Sequence, residues 1–238
     1  DIAAMGAKAK YFTLALALPK IDKSWLQEFS DSLKQLSGHY EVSLIGGDTT
    51  RGPLNITITM FGIVENSKAM KRSGARPDDG VYVSGTIGDA GFCFWKLSNG
   101  LIPSNQELKR LNCPIPRVEL GLVLKNLASA CIDVSDGLEQ DLSHILKASS
   151  VGAVIEVEKI PISEALLGHI KDSNDWSIPL CGGDDYELCF TIPEGNEEVL
   201  KKASKSCNVN ITRIGVVTEQ LGLQIEGFDG PRKSYQHF

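Results

Sequence analysis

Apolar residues recur at every second position from Tyr11 to Leu18, so that Phe12, Leu14, Leu16 and Leu18 share a face, which predicts a strand. The Ala-rich stretch before it, Asp1 to Lys10, predicts a helix. Asp22 suits the N-cap of a helix burying Trp25, Leu26, Phe29, Leu33 and Leu36. Val42 to Ile45 predicts a short strand ending at Gly46-Gly47. From Leu54 to Val64, Ile56, Ile58 and Met60 alternate with Asn55, Thr57 and Thr59, the mark of a half-buried strand antiparallel to a neighbour. The polar run Glu65 to Gly80 then divides the chain into domains at 1–65 and 66–238. Beyond it, strands are expected at Val81–Ser84, Cys131–Asp133, Ala153–Val157, Tyr186–Ile192 and Ile211–Val217. Helices are expected at Arg117–Ala130, Leu138–Ala148 and Glu197–Cys207. The mixture gives an α/β (α+β) class.

Composition narrows the function. The 238 residues carry 24 Lys and Arg against 30 Asp and Glu, a net charge of −6, so a general nucleic-acid binder is not expected. No apolar run approaches the roughly 18–20 residues of a membrane span, and no signal peptide is expected. The six cysteines have no C-x-x-C spacing and several lie in apolar stretches. They suit reduced thiols of a cytoplasmic protein better than a zinc or disulfide framework.

Three segments share one design, a short apolar strand running into glycine plus a carboxylate: Leu44 to Gly52, Ile132 to Leu138, and Leu180 to Tyr186. Glycine lets backbone N–H groups approach a ligand, and carboxylates are hard oxygen donors suited to Mg²⁺ beside phosphate. Each segment alone is as easily a turn, and Asp136 as easily caps the helix near Leu138. Together with Asp1 they favour a cation site, because converging acids repel without one. Lys71, Arg72, Arg76 and Arg51 are either solvated or phosphate-binding. Gly85 to Gly91 forms a glycine-rich turn without the G-x-G-x-x-G spacing. There is no P-loop, no protein-kinase signature set and no G-x-S-x-G elbow, and the four histidines share no motif.

Gly46-Gly47-Asp48-Thr49-Thr50-Arg51-Gly52, Asp133-Val134-Ser135-Asp136-Gly137-Leu138 and Gly182-Gly183-Asp184-Asp185-Tyr186-Glu187-Leu188 resemble the thiamine-monophosphate kinase family in order and spacing. So do the opening Asp1 to Ala7 and the closing Ser234 to Phe238. The resemblance implies the two-domain architecture of the aminoimidazole ribonucleotide synthetase superfamily. Residues 1–65 are then the remainder of an N-terminal ATP- and Mg-binding, dimerising domain, and 66–238 a C-terminal α/β domain. It implies ATP and thiamine monophosphate as substrates, several Mg²⁺ ions, a homodimer and a cytoplasmic setting.

Carried over by motif, Asp1, Asp48, Asp133 and Asp136 are expected Mg²⁺ ligands. Gly47, Asp48, Arg72 and Ser135 are expected at ATP, and Asp184 and Tyr235 at the substrate. Asp184 stands where the family commonly has Glu. No catalytic His or Cys and no strong general base is expected, transfer being assisted by metal and Arg72. The family's chain continues upstream of Asp1, so the N-terminal domain is expected to be incomplete and residues 1–238 alone poorly active. Rival readings are another ATP-using member of the superfamily, a non-catalytic nucleotide-binding module, and a plain α/β domain whose acids are caps and turns.

Overall fold

The computed structural model describes residues 1–231. It divides into two compact units, one of Ala7–Ser67 with Ile2, the other of Lys68 onward with Asp1 and Ala3–Gly6.

In the first unit, β1 (Lys8–Leu18) pairs with β2 (Ser43–Arg51) in parallel and with β3 (Asn55–Ile63) antiparallel, in the order β2-β1-β3. The expected face of β1 is the inner one: Phe12, Leu16 and Leu18 are buried. Helix α1 (Lys23–His39) follows, and Asp22 caps it by accepting a hydrogen bond from the Trp25 N–H at 3.2 Å. Three expectations change here. Helix α1 has no fully buried residue, and Leu36 is exposed. Strand β2 does not stop at Gly46-Gly47 but continues through Asp48 to Arg51. Gly47 has φ +142°, and a Cβ there would drive into the Leu14 carbonyl, so glycine lets the strand pass its neighbour. Strand β3 has the expected antiparallel partner, but every residue along it is exposed.

The expected helix at Asp1–Lys10 is instead a series of tight turns, with Met5 N donating to Asp1 O at 3.0 Å and Gly6 N to Ala3 O at 2.9 Å. Ala3 and Ala4 are buried in a cluster with Met70, Leu120 and Leu124. At Gly121 a Cβ would meet the Ala3 carbonyl. The small side chains therefore serve close backbone packing, which overrides their helix propensity.

In the second unit six strands lie in the order β5-β7-β4-β8-β6-β9. They are β4 (Gly80–Ser84), β5 (Ala130–Asp133), β6 (Gly152–Glu156), β7 (Leu188–Ile192), β8 (Ile211–Thr218) and β9 (Gly222–Glu226). All pairings are antiparallel except β6 with β9. The helices are α2 (Asp89–Ser98), α3 (Asn105–Asn112), α4 (Val118–Leu124), α5 (Leu138–Ser149), α6 (Glu164–Ser173), α7 (Ser177–Cys181) and α8 (Glu197–Cys207). Alternate strand residues enter different cores. Val81, Val83, Ile132 and Cys189 pack with Leu138 and Leu142 of α5 and Leu166 of α6. Tyr82, Cys131, Leu188, Phe190 and Ile192 pack with Leu120 and Leu124 of α4 and Leu200 of α8. Helices thus cover both faces, which is why these strands are continuous apolar runs rather than alternating ones. Helix α4 is shorter than the expected Arg117–Ala130 because the chain turns after Leu124 to enter β5.

Candidate functional site

Strand β5 ends at Asp133, and the loop beyond it is zipped to the loop before β7. Val134 N donates to the Glu187 carbonyl and Tyr186 N to the Val134 carbonyl, both at 2.8 Å. Asp184 N donates to the Ser135 carbonyl at 3.0 Å. Glycine makes this approach possible: a Cβ on Gly183 would strike the Ser135 carbonyl, and one on Gly137 (φ +115°) would meet the backbone of Cys181. The segment leading into Gly182-Gly183 is the short helix α7, not the expected strand.

The structure therefore ties the loop of Asp133, Ser135 and Asp136 to that of Asp184, and places the backbone of Asp1 beside Asp133. Asp136 does not cap α5. The N-cap is Gly137 and makes no side-chain cap, while Asp136 Oδ2 accepts from Gln140 Nε2 at 3.2 Å. The loop is held from below by Asp141, a residue the sequence did not single out. Its buried Oδ2 accepts from the N–H groups of Ser135 and Asp136 at 2.9 and 3.0 Å. Burial pushes the Asp141 carboxyl up, the two backbone donors oppose this, and the nearby charges of Asp136 and Asp133 add to the rise.

From Asp184 to Glu187 the side chains alternate between solvent and interior. Asp184 and Tyr186 are exposed and both have positive φ, +67° and +52°. The Tyr186 hydroxyl donates to Asp184 Oδ1 at 3.0 Å. Burial raises the Tyr186 pKa, as do its bond to Asp184 and the charges of Asp184, Asp133 and Asp136. Asp185 and Glu187 are each 1 % exposed. Asp185 accepts from Gly88 N at 2.5 Å and Ala90 N at 3.2 Å, at the start of α2. Its carboxyl is pushed up to about 7, chiefly by burial. Glu187 takes a guanidinium fork from Arg117, 2.7 Å from Nε and 2.5 Å from Nη2, and accepts the Ser84 hydroxyl at 2.6 Å. Arg110 Nη2 lies 3.5 Å away, and Arg110 Nε is 3.6 Å from Asp89 Oδ2. Among the described residues Asp89 Oδ1 and Arg110 Nε are buried without a hydrogen-bond partner. The roles of Asp185 and Glu187 were hidden in the sequence, because which of the four consecutive residues turn inward depends on partners distant in the chain.

Gly47 and Asp48 lie on β2 in the first unit, where exposed Asp48 accepts its neighbour's Thr49 N–H at 2.8 Å. Arg72 is exposed; its carbonyl accepts the Ser149 hydroxyl at 3.2 Å, and Cys131 N of β5 donates to the adjacent Lys71 carbonyl at 2.9 Å. Tyr235 lies outside the described residues. Among the described residues no group of three or more His, Cys, Asp or Glu side chains gathers as a ready-made metal cage. No helix among them is long and apolar enough to cross a membrane.

Residues 1–64 match the family model for the AIR synthase related protein, N-terminal domain, and residues 76–227 that for the AIR synthase related protein, C-terminal domain. The chain is 44% identical over 252 aligned residues to the thiamine-monophosphate kinase of Salmonella typhimurium, covering 100% of this chain and 76% of that one. The crystal structure of thiamine-monophosphate kinase from Stenotrophomonas maltophilia superimposes with a TM-score of 0.91 at 38% identity, covering 95% of this chain and 75% of that chain. A structure described as AaThiL complexed with AMPPCP and TMP gives a TM-score of 0.84 at 28% identity, covering 100% and 76%.

Proposed function

The chain belongs to the thiamine-monophosphate kinase family, and from that premise we propose that it transfers the γ-phosphoryl group of ATP to thiamine monophosphate, giving thiamine diphosphate and ADP. The nucleophile is a phosphate oxygen of thiamine monophosphate, largely ionised near neutral pH, so no strong general base is needed. It attacks the γ-phosphorus in line, the bond from that phosphorus to the β,γ-bridging oxygen breaks, and ADP leaves with the electron pair. No phosphoenzyme forms. The difficulty is to bring two polyanions together, and positioning with charge neutralisation is what this chemistry asks of a protein.

The observation that carries the reading is the pair of glycine-held loops tied by backbone hydrogen bonds, one carrying Asp133 and Asp136 and the other Asp184, in a chain of this family. Asp133 and Asp136 offer hard oxygen donors near enough to raise the pKa of both Asp141 and Tyr186. Mg²⁺ commonly takes one or two protein carboxylates and completes its shell with water and phosphate, so these acids fit it without a closed protein cage. Asp133 and Asp136 would hold Mg²⁺, which when bound neutralises phosphate charge, and the family resemblance assigns Asp1 and Asp48 as further Mg²⁺ ligands. Arg72 is assigned to ATP phosphate, Gly47, Asp48 and Ser135 to the nucleotide, and Asp184 and Tyr235 to the thiamine moiety.

We assign the protein to the cytoplasm as a homodimer. The dimer would form through the sheet of the first unit, whose Ile56, Ile58 and Met60 lie exposed on one face of β3. Chelating divalent cations is expected to abolish thiamine diphosphate formation, and added Mg²⁺ to restore it. Transfer that continues undiminished in excess chelator contradicts the metal assignment. Trapping of a covalent phosphoprotein during turnover contradicts direct transfer.

A further inference from the structure

We infer that Tyr186 is a specificity-determining residue: it pins the Asp184 carboxylate and presents its ring beside it, so that the pair selects a cationic aromatic substrate. This rests on the kinase reading above. An aspartate alone on an exposed loop samples several rotamers. Here the Tyr186 hydroxyl donates to Oδ1 at 3.0 Å, which restrains the carboxylate. A carboxylate attracts a ring cation by charge, and the tyrosine ring that carries the bonded hydroxyl adds a π surface for the same cation.

The pair is built on a rigid base. Asp184 N and Tyr186 N donate to the carbonyls of Ser135 and Val134, so both residues are tied to the Asp133–Asp136 loop. Their buried neighbours are fixed independently, Asp185 by the first N–H groups of α2 and Glu187 by Arg117 and Ser84. Positive φ at both exposed positions is strain that these anchors hold in place, and such strain collects at functional sites. The anchors also decide the direction: with Asp185 and Glu187 inward, Asp184 and Tyr186 are left outward on the side of Asp133 and Asp136.

The test is Tyr186→Phe, which keeps the ring and removes only the hydroxyl. With the full-length gene product, KM for thiamine monophosphate is expected to rise about tenfold, the scale of a hydrogen bond to a charged group. KM for ATP is expected to hold within about twofold. On an Asp184→Asn background the same change is expected to add less than about twofold, because the hydroxyl acts through the carboxylate it binds. Tyr186→Ala, which also removes the ring, is expected to raise KM for thiamine monophosphate further. An unchanged melting temperature for Tyr186→Phe excludes a folding effect. A wild-type KM for thiamine monophosphate in Tyr186→Phe, or full additivity with Asp184→Asn, overturns the inference while leaving the kinase reading intact. A wild-type protein that forms no thiamine diphosphate overturns both.

Discussion

Asp185 and Glu187 are equally buried yet are stabilised by different means. Glu187 has the Arg117 guanidinium fork against it, while Asp185 relies on backbone N–H groups, with Arg110 a lesser influence. Breaking a buried ion pair leaves an uncompensated charge, so Arg117→Met is expected to cost about 3 kcal/mol of unfolding free energy. Denaturant titration reads it, and an unchanged midpoint contradicts the account. Asp185 makes a prediction of the opposite kind. Its carboxyl is raised in the folded state from 3.8 to about 7, so the folded protein binds the proton more tightly than the unfolded chain. The stability this contributes is complete below the unfolded value and is lost as pH rises through the folded one. Stability is therefore expected to fall between about pH 4 and 7, and Asp185→Asn to flatten that slope. A slope unchanged in Asp185→Asn assigns it to other groups. The acids of the site were visible as residue types next to glycine. Their division into exposed and anchoring members was not, because it depends on backbone angles and on Arg110 and Arg117, which approach from elsewhere in the chain.

Elements were legible where local chemistry decides them and obscure where packing does. Asp22 could be recognised as an N-cap because the signal, a carboxylate three residues before an N–H in need of a partner, is entirely local. Asp22→Ala is expected to cost about 1 kcal/mol. The first ten residues misled because alanine favours a helix, whereas here it makes room for the backbone of α4. Gly46-Gly47 misled similarly, since glycine marks turns, yet here it relieves a close strand contact inside β2. The two positions give a direct comparison. A Cβ on Gly47 meets the Leu14 backbone, while one on Gly46 meets nothing within 4 Å. Gly47→Ala is expected to lower the melting temperature well beyond Gly46→Ala; equal effects would contradict the strand register.

For the whole molecule, the mixed α/β class followed from the alternation of apolar runs with amphipathic stretches. The antiparallel strand order did not, because it is set by which runs share a core. Strands β4, β5 and β7 send alternate residues into two helix-covered cores, and this sheet carries the Asp133–Asp136 and Asp184–Glu187 loops at β5 and β7. The exposed face of the first unit's sheet belongs to the same scale. If it closes a homodimer, Ile58→Asp is expected to shift sedimentation from dimer to monomer; a monomeric wild-type protein rules that interface out.

The most direct test of the central claim is a product assay on the full-length gene product with Mg-ATP and thiamine monophosphate, run beside Asp133→Asn. The account predicts thiamine diphosphate from the wild type and a loss on the order of a hundredfold or more in the variant, as expected when a group stabilising transition-state charge is removed. Undiminished product from Asp133→Asn would contradict the site, and bound ATP with no thiamine diphosphate from the wild type would contradict the kinase.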